Sequence, residues 1–287
     1  MNEQLLIGVE ELEKMMQQGE VFLIDTREPQ VYQKGHIPGA VNIHDFFLYI
    51  SLPENGGHPA MVEHFTYLLR GAGLKKEHKV VVYEDALDSG YGRSCRGWVL
   101  MQYFGHPWVA VLNGSYRAWK AKNMPITVDV PFYEPSNYKP VLDPNIIITT
   151  EQMLAAIDNP DIQILDNRDY AEWIGANSSP YGYDYCPRKG RIPSAVWIEW
   201  YRLMTIKEGI PWFKSPEEII SALNEIKLDP EKPVYIYCFK GARSSNTFMA
   251  LKLAGFKNVR NYFNSWNEWS RDFNLPIEEG YPEYHNT

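Results

Sequence analysis

Cysteine is scarce in this chain: Cys95, Cys186 and Cys238 are the only three among 287 residues, and no two form a Cys-x-x-Cys pair. That scarcity excludes a disulfide framework and a tetrahedral zinc site, leaving structural thiols or one reactive thiol. Such usage suits a reducing compartment. Basic runs are missing too. With a net charge of -8 and no Lys/Arg cluster, general nucleic-acid binding is not expected, and an anionic substrate must be drawn by a local positive site. Long hydrophobic runs are also absent near the start. The segment from Met1 to Leu12 is acidic where a secretion signal would be basic, and its apolar run is too short to span a membrane. The expectation is a cytoplasmic protein without membrane association.

What is present is ordinary globular composition, 45% hydrophobic and 22% charged, in a chain long enough for two domains with their own cores. The chain is also an internal repeat. Phe22 to Glu28 followed by Gly35 to Val41 is matched by Ile164 to Asp169 followed by Gly190 to Val196. Val80 to Glu84 is matched by Val234 to Cys238. Gly105, Ser115 and Trp119 are matched by Gly255, Ser265 and Trp269, each 150 positions on. The offset is 141 at Asp25/Asp166 and 155 at Pro38/Pro193, so the second half carries a 14-residue insertion between them. At Glu84/Cys238 the offset is 154, so the return to 150 by Gly105/Gly255 places a loop four residues longer in the first half, just after Glu84.

Each half alternates short β-branched or aromatic runs with stretches of helical periodicity. Helices are expected from Arg93 to Phe104 and from Ser244 to Ala254, each with a Gly just beyond its end. Strand and helix in alternation imply a mainly parallel sheet covered on both faces. The proline-rich stretch before Pro144 reads as a linker. We therefore expect domains at 1–124 and 145–287, joined by 125–144.

The chemistry concentrates at Cys238-Phe239-Lys240-Gly241-Ala242-Arg243-Ser244-Ser245. A strand ends in a cysteine, a Gly loop follows, and Ser244 and Ser245 are placed to cap a helix. In open α/β sheets ligands sit beyond the carboxyl ends of the strands, where loop N–H groups and a helix N-terminus cradle anions. A thiol at the base of such a cradle should ionise. From about 8.5, a drop of about two units costs about 2.7 kcal/mol of differential stabilisation. A helix dipole supplies about 0.3–1 kcal/mol, so one or two N–H bonds to the sulfur, about 1.5–3 kcal/mol each, must carry the rest. Lys240 and Arg243, two cations within five residues of the cysteine, are expected to bind the substrate anion rather than to be solvated loop residues. Phe239, Gly241, Ala242 and Ser244 form the loop that would hold the charged sulfur.

These blocks, together with Ser265-Trp266-Asn267-Glu268-Trp269, resemble the tandem-domain rhodanese family over nearly the whole chain. The resemblance implies two rhodanese-like domains, each with a five-stranded sheet, the first inactive because Glu84 stands at the cysteine position. It implies a thiosulfate sulfurtransferase of bacterial type: the Cys238 thiolate takes the outer sulfur of thiosulfate, sulfite leaves, and the persulfide passes its sulfur to cyanide, a small thiol or a protein thiol, thioredoxin-like proteins among them. It implies no metal and no cofactor. A lysine two places after the cysteine fits thiosulfate better than mercaptopyruvate, whose enzymes resemble Cys-Gly-Ser-Gly there. The animal enzymes bind the substrate anion with an arginine where this chain has Glu172. Arg188, Lys189 and Arg191 are the candidate replacements, Arg191 first.

Other readings compete. A mercaptopyruvate sulfurtransferase would use the same thiol. A persulfide carrier would hand its sulfur to one protein partner. Cell-cycle phosphatases share the fold, but their loop has five residues between Cys and Arg, whereas four separate Cys238 from Arg243. The shorter loop suits a single sulfur better than a tetrahedral phosphate. Cys95 is expected to be packing. A resolving role for Cys186, in the insertion, is the less favoured reading. The matched Asp25/Arg27 and Asp166/Arg168 are expected to be structural ion pairs, with Asp166 and Arg168 the only pair able to shape the pocket. Trp269 is expected in the core, and Trp266 against the pocket.

Overall fold

The computed structural model describes residues 5–19 and 21–281. The strands are β1 (Leu6–Ile7), β2 (Val21–Asp25), β3 (Val41–Asn42), β4 (Lys79–Tyr83), β5 (Val109–Leu112), β6 (Gln163–Asp166), β7 (Val196–Trp197), β8 (Met204–Lys207), β9 (Ile210–Phe213), β10 (Val234–Tyr237) and β11 (Val259–Asn261). The first sheet is five-stranded and parallel, in the order β1-β5-β4-β2-β3. Its central strand β4 reads Lys-Val-Val-Val-Tyr and is buried after its first residue, as a strand covered on both faces must be.

The second sheet is parallel in the order β11-β10-β6-β7 and has four strands, one fewer than expected. The strand that would match β1 is reduced to a single bridge, Ile147 to Asn261. The chain there runs into the helix Thr150–Ala156, whose first turn carries a capping box between Thr149 and Gln152.

The compact units are cut differently from the expected domains at 1–124 and 145–287. The chain divides into one unit of residues 1–146 with 204–213 and another of residues 147–203 with 214–287. The expected linker belongs to the first unit, tied down by backbone bonds: Thr127 pairs with His36, Ser136 N–H donates to the Arg70 carbonyl at 2.9 Å, and Val141 N–H donates to that of Phe104 at 3.0 Å. Five prolines keep this strap extended, and bonds to the domain beneath satisfy its backbone. The β8–β9 hairpin comes from the second half of the sequence yet packs in the first unit. Ile210 is buried in that unit's core with Tyr116, Ala118 and Trp119, and Trp212 packs against its edge. Gly114 makes room for it, since a Cβ there would lie 2.7 Å from the Trp212 ring.

The duplicated motifs have duplicated roles. Arg27 and Arg168 lie against Asp25 and Asp166 at 2.6 Å in both halves, and each donates to a glycine carbonyl, of Gly35 at 2.9 Å and of Gly190 at 2.7 Å. All four are buried. The indoles of Trp119 and Trp269 are buried and donate to the carbonyls of Pro125 and Pro276. These pairs organise the sheet edge and core of each unit alike.

Candidate active site

β10 delivers Cys238 to the carboxyl edge of the second sheet, and the loop 239–241 carries the chain into the helix Ala242–Leu253. The helix starts two residues earlier than the Ser244/Ser245 caps implied. Gly241, with φ +90°, is its N-cap, and both serines lie inside the first turn. The reason is local: only glycine takes this left-handed conformation cheaply, and a Cβ at Gly241 would lie 2.4 Å from the Phe263 carbonyl oxygen. The serines act as braces instead. Ser245 Oγ donates to the Gly241 carbonyl at 2.5 Å, Asn261 Nδ2 donates to Ser245 Oγ at 3.0 Å, and Ser244 Oγ donates to Asn261 Oδ1 at 2.8 Å. This chain ties the loop to the end of β11.

The sulfur sits where the loop amides converge. Gly241 N–H donates to Cys238 Sγ at 3.1 Å. Cys238 N–H donates to Ser265 Oγ at 3.1 Å, and Trp266 N–H donates to the Cys238 carbonyl at 3.0 Å. Cys238 is only 1% exposed, and burial alone would push its thiol up. The Arg243 guanidinium, the Ser244 N–H and the Lys240 N–H outweigh that burial and hold the thiol below its ordinary value. This is the balance that makes a thiolate nucleophile.

Arg243 is no solvated loop residue. It is buried and grips Glu172 with two hydrogen bonds, Nη1 to Oε2 at 2.7 Å and Nη2 to Oε1 at 3.0 Å, and has Asp169 at 3.4 Å. Burial opposes the charge of Glu172, but Arg243 more than offsets it and holds the carboxyl below its usual range. Asn167 Nδ2 donates to the Arg243 carbonyl at 2.7 Å, pinning the first turn of the helix. Glu172 and Asn167 come from beyond β6, and no local pattern in the cysteine loop announces them. The signal was the carboxylate of Glu172 at a position where the family resemblance implied an arginine.

The other cations are spent elsewhere. Arg191 donates to Glu278 at 3.1 Å and to the Gly280 carbonyl at 2.8 Å, and lies over the Trp173 ring at 4.6 Å. These contacts fasten the 278–280 segment and lend no support to the substrate role expected of Arg191. Arg188 donates to the carbonyls of Trp269, Ser270, Leu275 and Asp272, around the C-terminal end of the helix Ser265–Trp269. Lys189 pairs with Asp184 at 2.8 Å. Lys240 alone of the expected set turns to the insertion, its ammonium 5.0 Å from the centre of the Tyr181 ring. Trp266 is buried, with the Arg168 guanidinium 4.6 Å over its ring, so it packs between the structural ion pair and the loop. Cys95 is buried in the helix Arg93–Tyr103. Cys186 is buried, its thiol pushed up by that burial and its Sγ 3.9 Å from Asn267 Oδ1, which does not suit a resolving thiol.

The first unit repeats this frame with a different occupant. Glu84 N–H donates to Ser115 Oγ at 3.3 Å as Cys238 N–H donates to Ser265 Oγ at 3.1 Å, and the Tyr116 and Trp266 amides donate to the carbonyls of residues 84 and 238 alike. The Glu84 carboxyl accepts from Arg93 N–H and Ser94 Oγ, both at 2.9 Å, and fills the cradle itself.

Residues 8–122 and 149–272 match the rhodanese-like domain family. The chain belongs to the rhodanese family. It is 30% identical to a rat thiosulfate sulfurtransferase over 84% of this chain and 79% of that one. It is equally 30% identical to a mouse 3-mercaptopyruvate sulfurtransferase, over 83% and 78%. A "Sulfur carrier protein TtuD" of Thermus thermophilus is 28% identical over 96% and 97%. Among solved structures, wild-type EanB superposes with a TM-score of 0.83 at 25% identity, covering 96% of this chain and 69% of that one. These likenesses make this rhodanese a sulfurtransferase by family and leave open which donor it uses. Among the described residues no helix is long and apolar enough to cross a membrane.

Proposed function

We propose that this rhodanese moves the outer sulfur of thiosulfate to a thiophilic acceptor, cyanide or a thiol, through a persulfide on Cys238. The observation that carries the reading is the sulfur held by the Gly241 amide at 3.1 Å, with its thiol below the ordinary value despite complete burial. In the first half-reaction the thiolate attacks the sulfane sulfur. A new S–S bond forms to Cys238, the S–S bond of thiosulfate breaks, and its electron pair leaves with sulfite. In the second, the acceptor attacks the terminal sulfur and the electron pair returns to Cys238 as thiolate. Covalent storage splits one transfer into two and gives ping-pong kinetics. The same donors that hold the thiolate hold the persulfide anion.

A second reading keeps the persulfide and changes its recipient. Arg243 is neutralised by Glu172 and Asp169, so a doubly charged donor gains little from it, and the persulfide could instead be handed to one protein thiol. The relationship to a protein named as a sulfur carrier supports this reading.

Intact mass before and after thiosulfate tests the proposal: one sulfur should be gained, and cyanide should remove it. Cys238→Ser should abolish the gain while leaving the melting temperature within a few degrees, because one small atom is exchanged. Sulfur loading that persists in that variant would place the chemistry elsewhere. Fast transfer to a single protein alongside poor turnover with cyanide would favour the second reading.

A further inference from the structure

The insertion of the second half closes on itself at its base. A Cβ at Gly175 would lie 3.2 Å from Gly190 N, and Cys186 N–H donates to Ser178 Oγ at 3.0 Å. Inside it, Ser178 N–H donates to the Tyr183 carbonyl at 3.1 Å, and Tyr181 N–H donates to Ser179 Oγ at 2.9 Å. Residues 175–190 thus form a compact loop packed by its own side chains, a type that is frequently functional.

This loop leans on the cysteine loop. Phe239, the residue after the nucleophile, meets Tyr181 at 5.4 Å and Tyr185 at 5.7 Å between ring centroids, and the two tyrosines meet each other at 5.6 Å. Phe239 is buried beneath them, whereas Tyr181 and Tyr185 are 51% and 53% exposed. The Lys240 ammonium lies 5.0 Å from the centre of the Tyr181 ring, within cation–π range. Lys240 is 8% exposed, so its stem is packed and its head is directed. Solvent-facing aromatic rings beside a reactive thiol, one of them carrying a lysine, are more than core packing requires.

We propose that Tyr181 is a positioning residue that holds the Lys240 ammonium beside the Cys238 loop, so that the insertion sets this site's preference for anionic sulfur donors. The inference rests on the persulfide reading for its meaning, and on ring and ammonium geometry for its content. Held against the ring, the lysine loses rotamer freedom before the donor arrives, and its charge stays at the loop. On this proposal the ring of Tyr181 does the holding. Phe should therefore substitute for it, and a branched aliphatic side chain should not.

The test compares alkylation of Cys238 by iodoacetate and by iodoacetamide, read by mass on the Cys238 peptide, beside KM for thiosulfate. Tyr181→Leu should lower the iodoacetate-to-iodoacetamide rate ratio about three- to tenfold and raise KM by a similar factor. The rate with neutral iodoacetamide should hold, which a collapsed loop would not allow. Tyr181→Phe should match the wild type. Lys240→Ala should lower the ratio at least as far, and adding Tyr181→Leu to it should change nothing further. An unchanged ratio in Tyr181→Leu, or additive losses in the double variant, overturns the proposal. If the ratio falls but thiosulfate loads no sulfur, the positioning stands and the donor assignment fails. If thiosulfate loads sulfur and the ratio does not move, the reverse holds.

Discussion

Replacing Glu84 with Gln exchanges one atom in the core of the first unit and should remove a pH-dependent loss of stability. Burial pushes the Glu84 carboxyl up to about 8, against the opposing pull of Ser94, its amide and Arg93. In the unfolded chain the same group titrates near 4.3, so the gap is between three and four units, at about 1.36 kcal/mol each. A raised folded-state value means the folded protein holds a proton that the unfolded chain has released. Stability therefore falls as pH rises from about 4.3 and levels off above about 8. The upper bound on that loss is about 5 kcal/mol. Relaxation of polar groups around the charged form returns part of it, leaving about 2–4 kcal/mol. Gln presents an oxygen to Arg93 N–H and an amide to Ser94 Oγ, whose hydroxyl can accept as well as donate. Its shape suits the close approach of Gly90, where a Cβ would collide with the Glu84 carboxyl. Urea denaturation of both proteins at pH 5, 7 and 9, followed by tryptophan emission, checks this. The variant should gain little at pH 5 and about 2–4 kcal/mol at pH 9. A difference that stays constant with pH would refute a neutral buried carboxyl.

Two further outcomes follow from the site. Gly241→Ala forces a side chain into left-handed backbone against the Phe263 carbonyl, and should cost at least about 2 kcal/mol and about tenfold in kcat/KM, measured by melting and sulfur-transfer assays. Glu172→Gln leaves the buried Arg243 partly unpaired; it should destabilise by about 1–3 kcal/mol, and should raise the iodoacetamide rate at Cys238 near pH 6, because more of the guanidinium charge acts on the sulfur.

The duplication was readable because each repeated block has a task the fold imposes twice. Asp25/Arg27 and Asp166/Arg168 build the same ion pair, and Trp119 and Trp269 make the same bond to a proline carbonyl. The cysteine loop was readable for the same reason: a strand end, a glycine and a helix start are local patterns. What escaped depends on partners distant in sequence. Arg243 and Glu172 are 71 residues apart, and Arg191 and Glu278 are 87 apart. No local spacing tells a substrate-binding arginine from one already paired. The serines at 244 and 245 look like caps in any helix; only the backbone room at Gly241 moves the helix start ahead of them.

The β8–β9 hairpin gives the repeat an asymmetry with consequences for how such chains can be rearranged. A fragment ending near residue 146 would keep every strand of the first sheet yet forfeit Ile210 and Trp212, leaving apolar surface around Gly114 and Trp119 bare to water. A fragment beginning there would carry that greasy hairpin with nothing to cover it. Gene fusion, swapping or trimming at the proline-rich strap therefore strips the first unit of a hairpin its core uses, although the repeats look modular on paper.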